Sequence, residues 1–339
     1  MSHSVPEAST SSTSARPVQK QRIQLPTDDP QEIVKLNRTV ADSFQINKHK
    51  KDAARNWDIF YKNNKDGFFK DRHWTDRDFT ELARLDAEDG ASGKGKGKCV
   101  MEVGCGTGAF VYPLLERYPN TQFYAFDFSP RAVDLVKSHS LYDPARVHAF
   151  VHDLTCPPGK PSLVEQLESG PTEFKPDGSQ FRRPDVISCI FVLSALPPGA
   201  QKAAVQSLVD ILAPGGSLLL RDYALHDMAQ LRFHALPSKG YATVPSLLSA
   251  DADGSTSQDD VERGKAWYRR GDGTMSYFFT PEELDRLVQV DVVQDAADGT
   301  RFKMEGKCVV RERALENKAQ QWDCTRRFVH ASWRKVVVE

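Results

Sequence analysis

The stretch CVMEVGCGTGAFVYPLLER, Cys99–Arg117, decides the fold of this chain. Its first five residues are typical of a short strand, a glycine-rich turn follows, and Ala109 opens a segment with helical spacing. Strand, glycine turn and helix in this order begin a βαβ unit. Gly104, Gly106 and Gly108 allow the backbone to take positive φ and to approach a ligand closely. The stretch therefore predicts a nucleotide-binding loop at the carboxyl end of a strand.

Strands and helices continue to alternate after this stretch. The pattern predicts strands at 122–126, 147–151, 185–191 and 217–220, and helices at 109–117, 130–138 and 281–288. Two long stretches near the end, 302–313 and 326–338, suit an antiparallel hairpin at the edge of a sheet. We therefore expect an α/β, Rossmann-like fold with a seven-stranded, mostly parallel sheet and an antiparallel edge hairpin.

Composition divides the chain into three segments. Residues 1–25 have few large apolar side chains, so we expect a disordered tail, with a mitochondrial transit peptide as the alternative. Residues 26–88 are helical in pattern and rich in aromatic residues, which predicts a cap on the sheet. Residues 89–339 form the α/β domain, with insertions at about 156–184 and 249–260 that we expect to be mobile loops.

The bulk properties exclude several classes of protein. The chain has 339 residues, 40% hydrophobic and 27% charged, with a net charge of -1, so any site for a polyanion must be local. The six cysteines lack metal-ligand spacing, which predicts reduced thiols and no metal site. The sequence has no apolar run long enough to span a bilayer and no secretory signal. We expect a cytoplasmic protein, with nucleus and mitochondrion left open, and no membrane contact.

An acidic residue, Asp127, closes the next predicted strand 23 positions after Gly104, where a carboxylate can accept ribose hydroxyl protons. The loop also satisfies the dinucleotide fingerprint, so a dehydrogenase is the competing interpretation. Glu102 before the loop and Asp153-Leu154 after the third strand favour S-adenosylmethionine, because methyltransferases that resemble this chain carry acids at these places. A sulfonium cofactor has no diphosphate for these acids to repel.

Aromatic and basic residues are concentrated in two regions. Residues 56–82 contain seven Phe, Tyr or Trp, and residues 48–77 hold nine Lys or Arg against five Asp. Residues 301–335 hold ten Lys or Arg against four acids. Aromatic faces interleaved with cations bind single-stranded nucleic acid, whereas an amphipathic cap and solvated strand edges are the structural alternative.

Five segments together resemble the eukaryotic tRNA 3-methylcytidine methyltransferase family. They are FFKDRHW (Phe68–Trp74), MEVGCGTG (Met101–Gly108), IFVLSAL (Ile190–Leu196), APGGSLLLRDYALHDMAQLRF (Ala213–Phe233) and WYRRGDGTMSYFFTPEELD (Trp267–Asp285). The resemblance covers roughly residues 40–338 and implies a class I methyltransferase with S-adenosylmethionine as cofactor and tRNA as partner. It also implies methylation of N3 of cytidine 32 in the anticodon loop.

The resemblance also implies roles for individual residues. The expected cofactor-binding residues are Trp57, Tyr61, Glu102, Gly104, Gly106, Gly108, Asp127, Asp153, Leu154 and Ile190. The expected catalytic residues are Arg72, Arg221 and Asp222, and the expected RNA-binding residues are Lys70, Arg72, His73, Trp74, Arg269, Arg270, Arg326 and Arg327. Arg221 and Asp222 follow the fifth predicted strand, at the sheet edge where ligands bind in open α/β folds.

The choice of substrate stays open at this point. The short N-terminal region resembles the family branch that acts on serine tRNA, which seryl-tRNA synthetase can assist, while threonine and arginine tRNA are alternatives. A class I methyltransferase that acts on a protein or small molecule is the rival function. A catalytically inactive binding protein on the same fold is the second rival.

Overall fold

The computed structural model describes residues 25–36, 43–64, 70–85, 97–176, 178, 180–235, 266–289, 293–294, 299–317 and 322–338. The predicted tail, apart from Leu25, and the predicted insertion at 249–260 lie outside these residues.

The described helices and strands follow the predicted α/β alternation. The helices are α1 (Pro30–Val34), α2 (Ser43–Asn64), α3 (Thr75–Asp78), α4 (Val111–Arg117), α5 (Pro130–Lys137), α6 (Leu163–Glu168), α7 (Pro198–Ile211), α8 (Met228–Ala235) and α9 (Pro281–Val288). The strands are β1 (Cys99–Val103), β2 (Gln122–Asp127), β3 (Val147–Val151), β4 (Val186–Ile190), β5 (Ser217–Tyr223), β6 (Tyr268–Arg269), β7 (Met275–Ser276), β8 (Val293–Gln294), β9 (Arg301–Asn317) and β10 (Trp322–Val337).

The main sheet has the order β3-β2-β1-β4-β5-β10-β9-β8. Strands β1 to β5 are parallel, β10 is antiparallel to β5, and β9 and β10 form the long hairpin. This confirms the expected seven-stranded, mostly parallel sheet, to which β8 adds two residues at the edge. The strand order reverses between β1 and β4, so the ligand crevice is expected at the carboxyl ends of these strands.

Strand β5 is longer than the sequence pattern predicts. The polar residues Arg221 and Asp222 end the apolar run in the sequence, yet they pair with His330 and Val329 of β10 and continue the ladder to Tyr223. Hydrogen bonds to an antiparallel neighbour keep the backbone extended where the side-chain pattern alone does not. Side chains alternate along a strand, so Arg221 and Asp222 point to opposite faces of the sheet.

The segment 156–184 is not the irregular insertion that we expected. It contains helix α6, which begins with a capping box between Ser162 and Glu165. Leu163, Leu167 and Phe174 are buried in the main core. Apolar side chains spaced for one helix face give this segment enough buried surface to fold against the sheet, which its Pro and Gly content obscured.

A buried lysine of β10 binds the C-terminal end of helix α7. Lys335 of β10 is 1% exposed, and its Nζ donates to the carbonyl oxygens of Val209 (2.9 Å) and Leu212 (3.0 Å). The ammonium group satisfies carbonyls that the last turn of a helix leaves free.

The N-terminal cap packs on the carboxyl side of the sheet. Helix α2 contacts α5, where Phe60 and Tyr61 pack against Ala132. Residues 70–85 add Phe79 and Leu82 to the core on the other flank. No helix in the described residues is long and apolar enough to cross a membrane.

Candidate functional site

The loop Gly104–Gly108 forms a tight cradle after β1. Gly104, Gly106 and Gly108 have φ values of 63°, 53° and 83°, in the left-handed region that glycine tolerates. A Cβ at Gly104 would lie 2.5 Å from Cγ2 of Val192, and one at Gly106 would lie 3.1 Å from the Tyr61 hydroxyl. The three glycines are therefore required both for backbone conformation and for space, as the sequence predicted for a ligand cradle.

Asp127 lies at the end of β2 beside this loop. The side chain is 4% exposed, with Oδ2 accepting from the Gly106 backbone N–H (3.1 Å) and Oδ1 from the Ser129 N–H (3.0 Å). The Tyr61 hydroxyl is 3.5 Å from Oδ2. Burial raises the pKa of Asp127 to about 6, although the backbone hydrogen bonds oppose this shift. The carboxylate is thus fixed at the loop, where it can accept ribose hydroxyls.

Glu102 provides a second acid on the other side of the loop. It is 1% exposed, and its Oε1 lies 3.5 Å from Nη1 of Arg72. Its Oε2 is buried without a hydrogen-bond partner among the described residues. Burial raises the pKa of Glu102 to about 8, while Arg72 opposes the shift. A buried carboxylate with one unpartnered oxygen is suited to an ammonium group that a ligand would bring.

Helix α2 covers this pocket. The Trp57 and Tyr61 rings lie 6.0 Å apart, and Tyr61 is buried. Asp58 accepts a hydrogen bond from the Ser129 hydroxyl (3.0 Å), just after Asp127. The structure therefore places Tyr61 beside Asp127 and Trp57 beside Tyr61. Contact of these two rings with the cofactor stays a prediction.

The other predicted cofactor residues, Asp153, Leu154 and Ile190, lie at or just after the ends of β3 and β4. Asp153 follows β3 and holds its own turn, with Oδ1 accepting from the backbone N–H (2.9 Å) and hydroxyl (2.7 Å) of Thr155. Leu154 and Ile190 are buried in the two large core clusters. Their contact with the cofactor stays a prediction.

A second region begins where β4 ends. Phe191 has a φ of 60°, a strained value for a residue that is not glycine. Its N–H donates to the Arg221 carbonyl (2.8 Å), which holds the strained backbone in place. The Phe191 ring lies 5.0 Å from that of Tyr223 and 5.6 Å from that of Phe328. We call Phe191, Tyr223 and Phe328 the aromatic cluster. It adjoins the glycine loop, since Val192 is the neighbour that crowds Gly104.

Arg221 fixes the N-terminal cap to this cluster. Its guanidinium lies 4.6 Å from the Trp74 ring centroid and 4.8 Å from that of Phe328. Its Nη1 contacts Oδ2 of Asp78 at 2.5 Å, and the side chain is buried. Desolvation lowers the pKa of Arg221, and Asp78 opposes the shift. Arg221 was predicted as a catalytic residue, and these contacts instead give it a structural role in holding Trp74 and Asp78 against the aromatic cluster.

Two further arginines face the aromatic cluster. Arg270 lies 5.2 Å and Arg326 5.5 Å from the centroid of the Tyr223 ring. Nε of Arg326 donates to both carboxylate oxygens of Asp227 at 2.9 Å, and Asp227 is fully buried. Arg326, predicted to bind RNA, is therefore held by an acid of the protein. Its guanidinium also packs against the Phe328 ring, 5.5 Å from the centroid.

Asp222 is placed differently from our prediction. It is fully buried, with Oδ2 accepting from the Ser194 N–H (2.9 Å) and Oδ1 from the Tyr223 N–H (2.9 Å). Burial raises its pKa to about 6, opposed by these hydrogen bonds. Both carboxylate oxygens accept backbone hydrogen bonds, on the face of the sheet opposite to the Arg221 side chain. The geometry therefore gives Asp222 a positioning role for the turn after β4.

The remaining predicted RNA contacts fall into two groups. Lys70, His73 and Arg269 are exposed. Arg327 is half-buried, and its Nε lies 3.3 Å from Oε1 of Glu312. The first three can reach a ligand from solvent, whereas Arg327 already faces an acid.

The sequence reasoning missed the aromatic cluster and the two acids that pair with its neighbouring arginines, Asp78 with Arg221 and Asp227 with Arg326. Tyr223 and Phe328 are directly opposite each other in β5 and β10. The signal that could have found them is the register of the two strands, which the residue pattern alone does not fix.

The glycine cradle, the two buried acids and this fold define an S-adenosylmethionine-dependent methyltransferase. Residues 73–290 match the model of the methyltransferase domain family. The chain belongs to the tRNA N(3)-cytidine methyltransferase family. It is 36% identical to the human tRNA N(3)-cytidine methyltransferase METTL6, over 84% of this chain and 86% of the relative.

Two further curated relatives agree with this assignment. The chain is 34% identical to the tRNA N(3)-methylcytidine methyltransferase trm141 of Schizosaccharomyces pombe, over 86% of this chain and 96% of the relative. It is 33% identical to the tRNA(Thr) (cytosine(32)-N(3))-methyltransferase of Saccharomyces cerevisiae, over 85% of this chain and 38% of the relative. A solved methyltransferase from Anabaena variabilis matches with 13% identity and a TM-score of 0.47, over 83% of this chain and 94% of that chain.

Proposed function

We propose that this enzyme methylates N3 of cytidine 32 in the anticodon loop of tRNA, with serine tRNA as substrate and seryl-tRNA synthetase as an assisting partner. The observation that carries the proposal is the aromatic cluster beside the cofactor pocket, with guanidinium groups at its rim. Relatives named for this reaction support the chemistry. The Saccharomyces relative is named for position 32. Serine tRNA is proposed from the resemblance to one branch of the family.

The residues present fit S-adenosylmethionine. Glu102 offers an unpartnered carboxylate oxygen for the amino group of its methionine part, and the glycine loop with Asp127 offers a backbone cradle and an acceptor for the ribose. When bound, the cofactor supplies an electrophilic methyl group on a sulfonium centre. A dinucleotide would place its diphosphate against these buried acids, which electrostatics disfavours.

The chemistry of cytosine N3 requires positioning more than proton transfer. N3 has an in-plane lone pair and carries no proton at neutral pH, so the protein needs no base to activate it. The aromatic cluster can stack an extruded pyrimidine, and its buried surroundings exclude water. A base in an anticodon loop costs little to extrude because few pairs are lost. Most of the rate acceleration therefore comes from orientation of the base.

An exposed basic face on helix α2 suits the tRNA backbone. Lys48, Lys51, Arg55 and Lys62 recur at helical spacing, so they lie on one face, and all four are exposed. We call these residues the basic stripe. A different side of α2, about a third of a turn around the helix, carries Tyr61 to Asp127. Cations along one side of the covering helix can contact phosphates without contacting bases.

Transfer of a labelled methyl group to defined tRNAs tests the proposal. Serine, threonine and arginine tRNA transcripts, each with C32 or U32, are incubated with labelled S-adenosylmethionine, with and without seryl-tRNA synthetase. We expect 3-methylcytidine in the C32 serine transcript, with the highest yield when the synthetase is present. Label in another nucleoside, or equal labelling of C32 and U32 transcripts, would refute the site. Preference for threonine or arginine transcripts would refute the serine assignment alone.

The role of Asp222 is tested separately from substrate choice. Asp222→Asn keeps the shape but removes one acceptor for the backbone N–H groups of Ser194 and Tyr223. We expect a loss of about 1–3 kcal/mol in the free energy of unfolding, because a buried donor loses its partner. The single-turnover methylation rate at saturating cofactor is measured in parallel. An unchanged rate would remove Asp222 from the mechanism.

A further inference from the structure

Helix α2 has a contact beyond the cofactor pocket. Nδ2 of Asn56 donates to the carbonyl oxygen of Gly273 at 2.9 Å. Gly273 has a φ of 82°, and a Cβ at this position would lie 3.2 Å from Cγ of Asn56. The side chain of Asn56 therefore rests directly on the turn between β6 and β7.

This turn, residues 270–274, is well ordered by its own hydrogen bonds. The Arg270 N–H donates to the Thr274 carbonyl (2.7 Å), and the Gly273 N–H donates to the Arg270 carbonyl (3.0 Å). Asp272 accepts from both the backbone N–H and the hydroxyl of Thr274. We call residues 270–274 the arginine turn, because it holds Arg270 over the Tyr223 ring.

Helix α2 reaches the cofactor pocket about one and a half turns after Asn56. Tyr61 lies five residues after Asn56, about 7.5 Å along the axis at the usual helical rise. Its hydroxyl is 3.5 Å from Asp127, and Asp58 between them accepts from Ser129. One rigid element thus contacts both the ribose acceptor and the arginine turn.

We propose that Asn56 is a positioning residue that couples cofactor occupancy to tRNA binding. A cofactor held by Asp127 and the glycine loop would also meet Tyr61, which lies 3.5 Å from Asp127, and this contact would fix α2. The fixed helix holds the arginine turn through Asn56, which places Arg270 at the rim of the aromatic cluster. The tRNA then binds to a rim that is already ordered. Its binding free energy is therefore not reduced by the entropy lost in ordering Arg270.

Linkage requires the effect to be reciprocal between the two ligands. The inference rests on the proposed function, since it takes tRNA as the second ligand. The affinities for cofactor and tRNA are then coupled through the amide side chain of Asn56.

The experiment measures the affinity of serine tRNA for the full chain, with and without saturating S-adenosylhomocysteine. We expect the cofactor product to tighten tRNA binding by about fivefold or more in the wild type. Asn56→Ala and the isosteric Asn56→Asp both remove the amide donor and should reduce this factor to below about twofold. Gly273→Ala perturbs the other side of the contact and should give the same loss.

Controls separate this effect from folding and from the proposed function. Asn63→Ala and Asn63→Asp change an exposed residue of the same helix and should keep the wild-type coupling. Affinity for S-adenosylhomocysteine without tRNA should stay unchanged in the Asn56 variants, which shows that the pocket is folded. The inference would be overturned if S-adenosylhomocysteine tightened tRNA binding equally in the wild type and the Asn56 variants, or not at all in the wild type. The proposed function would stand in either case, provided that the protein still methylates tRNA. Failure of any tRNA to bind or react would overturn the proposed function as well.

Discussion

The cofactor side and the target side of the crevice are built in different ways. The cofactor side uses residues close in sequence, with main-chain conformation at Gly104–Gly108 and two buried acids, Glu102 and Asp127. The target side gathers Trp74, Phe191, Tyr223, Arg270 and Phe328 from the whole length of the chain. Its geometry depends on rings and guanidinium groups that contact one another. Backbone geometry thus defines the cofactor site, and sheet register defines the target site.

A substitution in the glycine loop should have the largest effect and should be confined to the cofactor side. Gly104→Ala combines left-handed strain of about 1–2 kcal/mol with crowding of about 1–3 kcal/mol against Val192. We expect roughly 100-fold weaker binding of S-adenosylhomocysteine by calorimetry. Gly215→Ala is the matched control, because Gly215 also has positive φ (75°) but only Arg334 nearby, at 3.7 Å. Equal affinities for the two variants would contradict the cradle.

Loss of one ring should affect the target side alone. Phe191→Leu keeps an apolar side chain but removes the stacking face, worth about 1–3 kcal/mol per base. We expect kcat/KM for tRNA methylation to fall by about 5- to 150-fold with unchanged cofactor affinity. Phe191→Tyr, which keeps the ring, serves as the control. Similar rates for the Leu and Tyr variants would show that the base does not stack here.

Protonation of Glu102 should make cofactor binding depend on pH. Before the cofactor binds, the pKa of Glu102 is about 8, so its carboxyl group becomes negatively charged only as the pH rises towards 8. The ammonium group of the cofactor is attracted to the charged form. We expect affinity measured by calorimetry to increase between pH 6 and pH 8, and Glu102→Gln to remove this increase. At pH 8 the variant should bind about tenfold more weakly. A variant that retains the wild-type pH profile would assign the effect to another group.

The same shift has a consequence for the free energy of unfolding. The pKa of Glu102 in the folded protein lies above its ordinary value of 4.5, so the stability that protonated Glu102 contributes is complete below about 4.5 and is lost as the pH rises through 8. Thermal unfolding of the cofactor-free protein should show this decline, and Glu102→Gln should reduce it.

The basic stripe should give the smallest effect. Lys51→Ala and Arg55→Ala together should reduce the salt dependence of tRNA binding, with the slope of log K against log salt falling by about two. Cofactor affinity should not change. Lys202→Ala, an exposed lysine on α7, is the control. An unchanged slope in the double variant would place the tRNA backbone elsewhere.

Much of the cofactor side could be predicted because its signals are local. The bounds of β1 match the expected five residues, since all five are buried in a continuous strand. Asp127 and Glu102 were found by their spacing from the glycines. These features depend on backbone conformation, which neighbouring residues determine.

The target side could not be predicted in the same way. Tyr223 was missed because Arg221 and Asp222 interrupt the apolar run of β5, and only pairing with β10 extends the strand. Asp78 and Asp227 are acids that look solvent-exposed in sequence, yet they bind Arg221 and Arg326. Such pairs come from residues more than 90 positions apart, whose contacts only the tertiary fold establishes.

Lys335, the cation at the end of helix α7, gives the protein an internal chemical reporter. Its amine is shielded from solvent by the hairpin and by the helix whose carbonyls it binds. An acylating reagent can reach it only after β10 separates from α7. The rate at which Lys335 is acylated, compared with exposed lysines, would therefore measure how often this edge of the sheet opens.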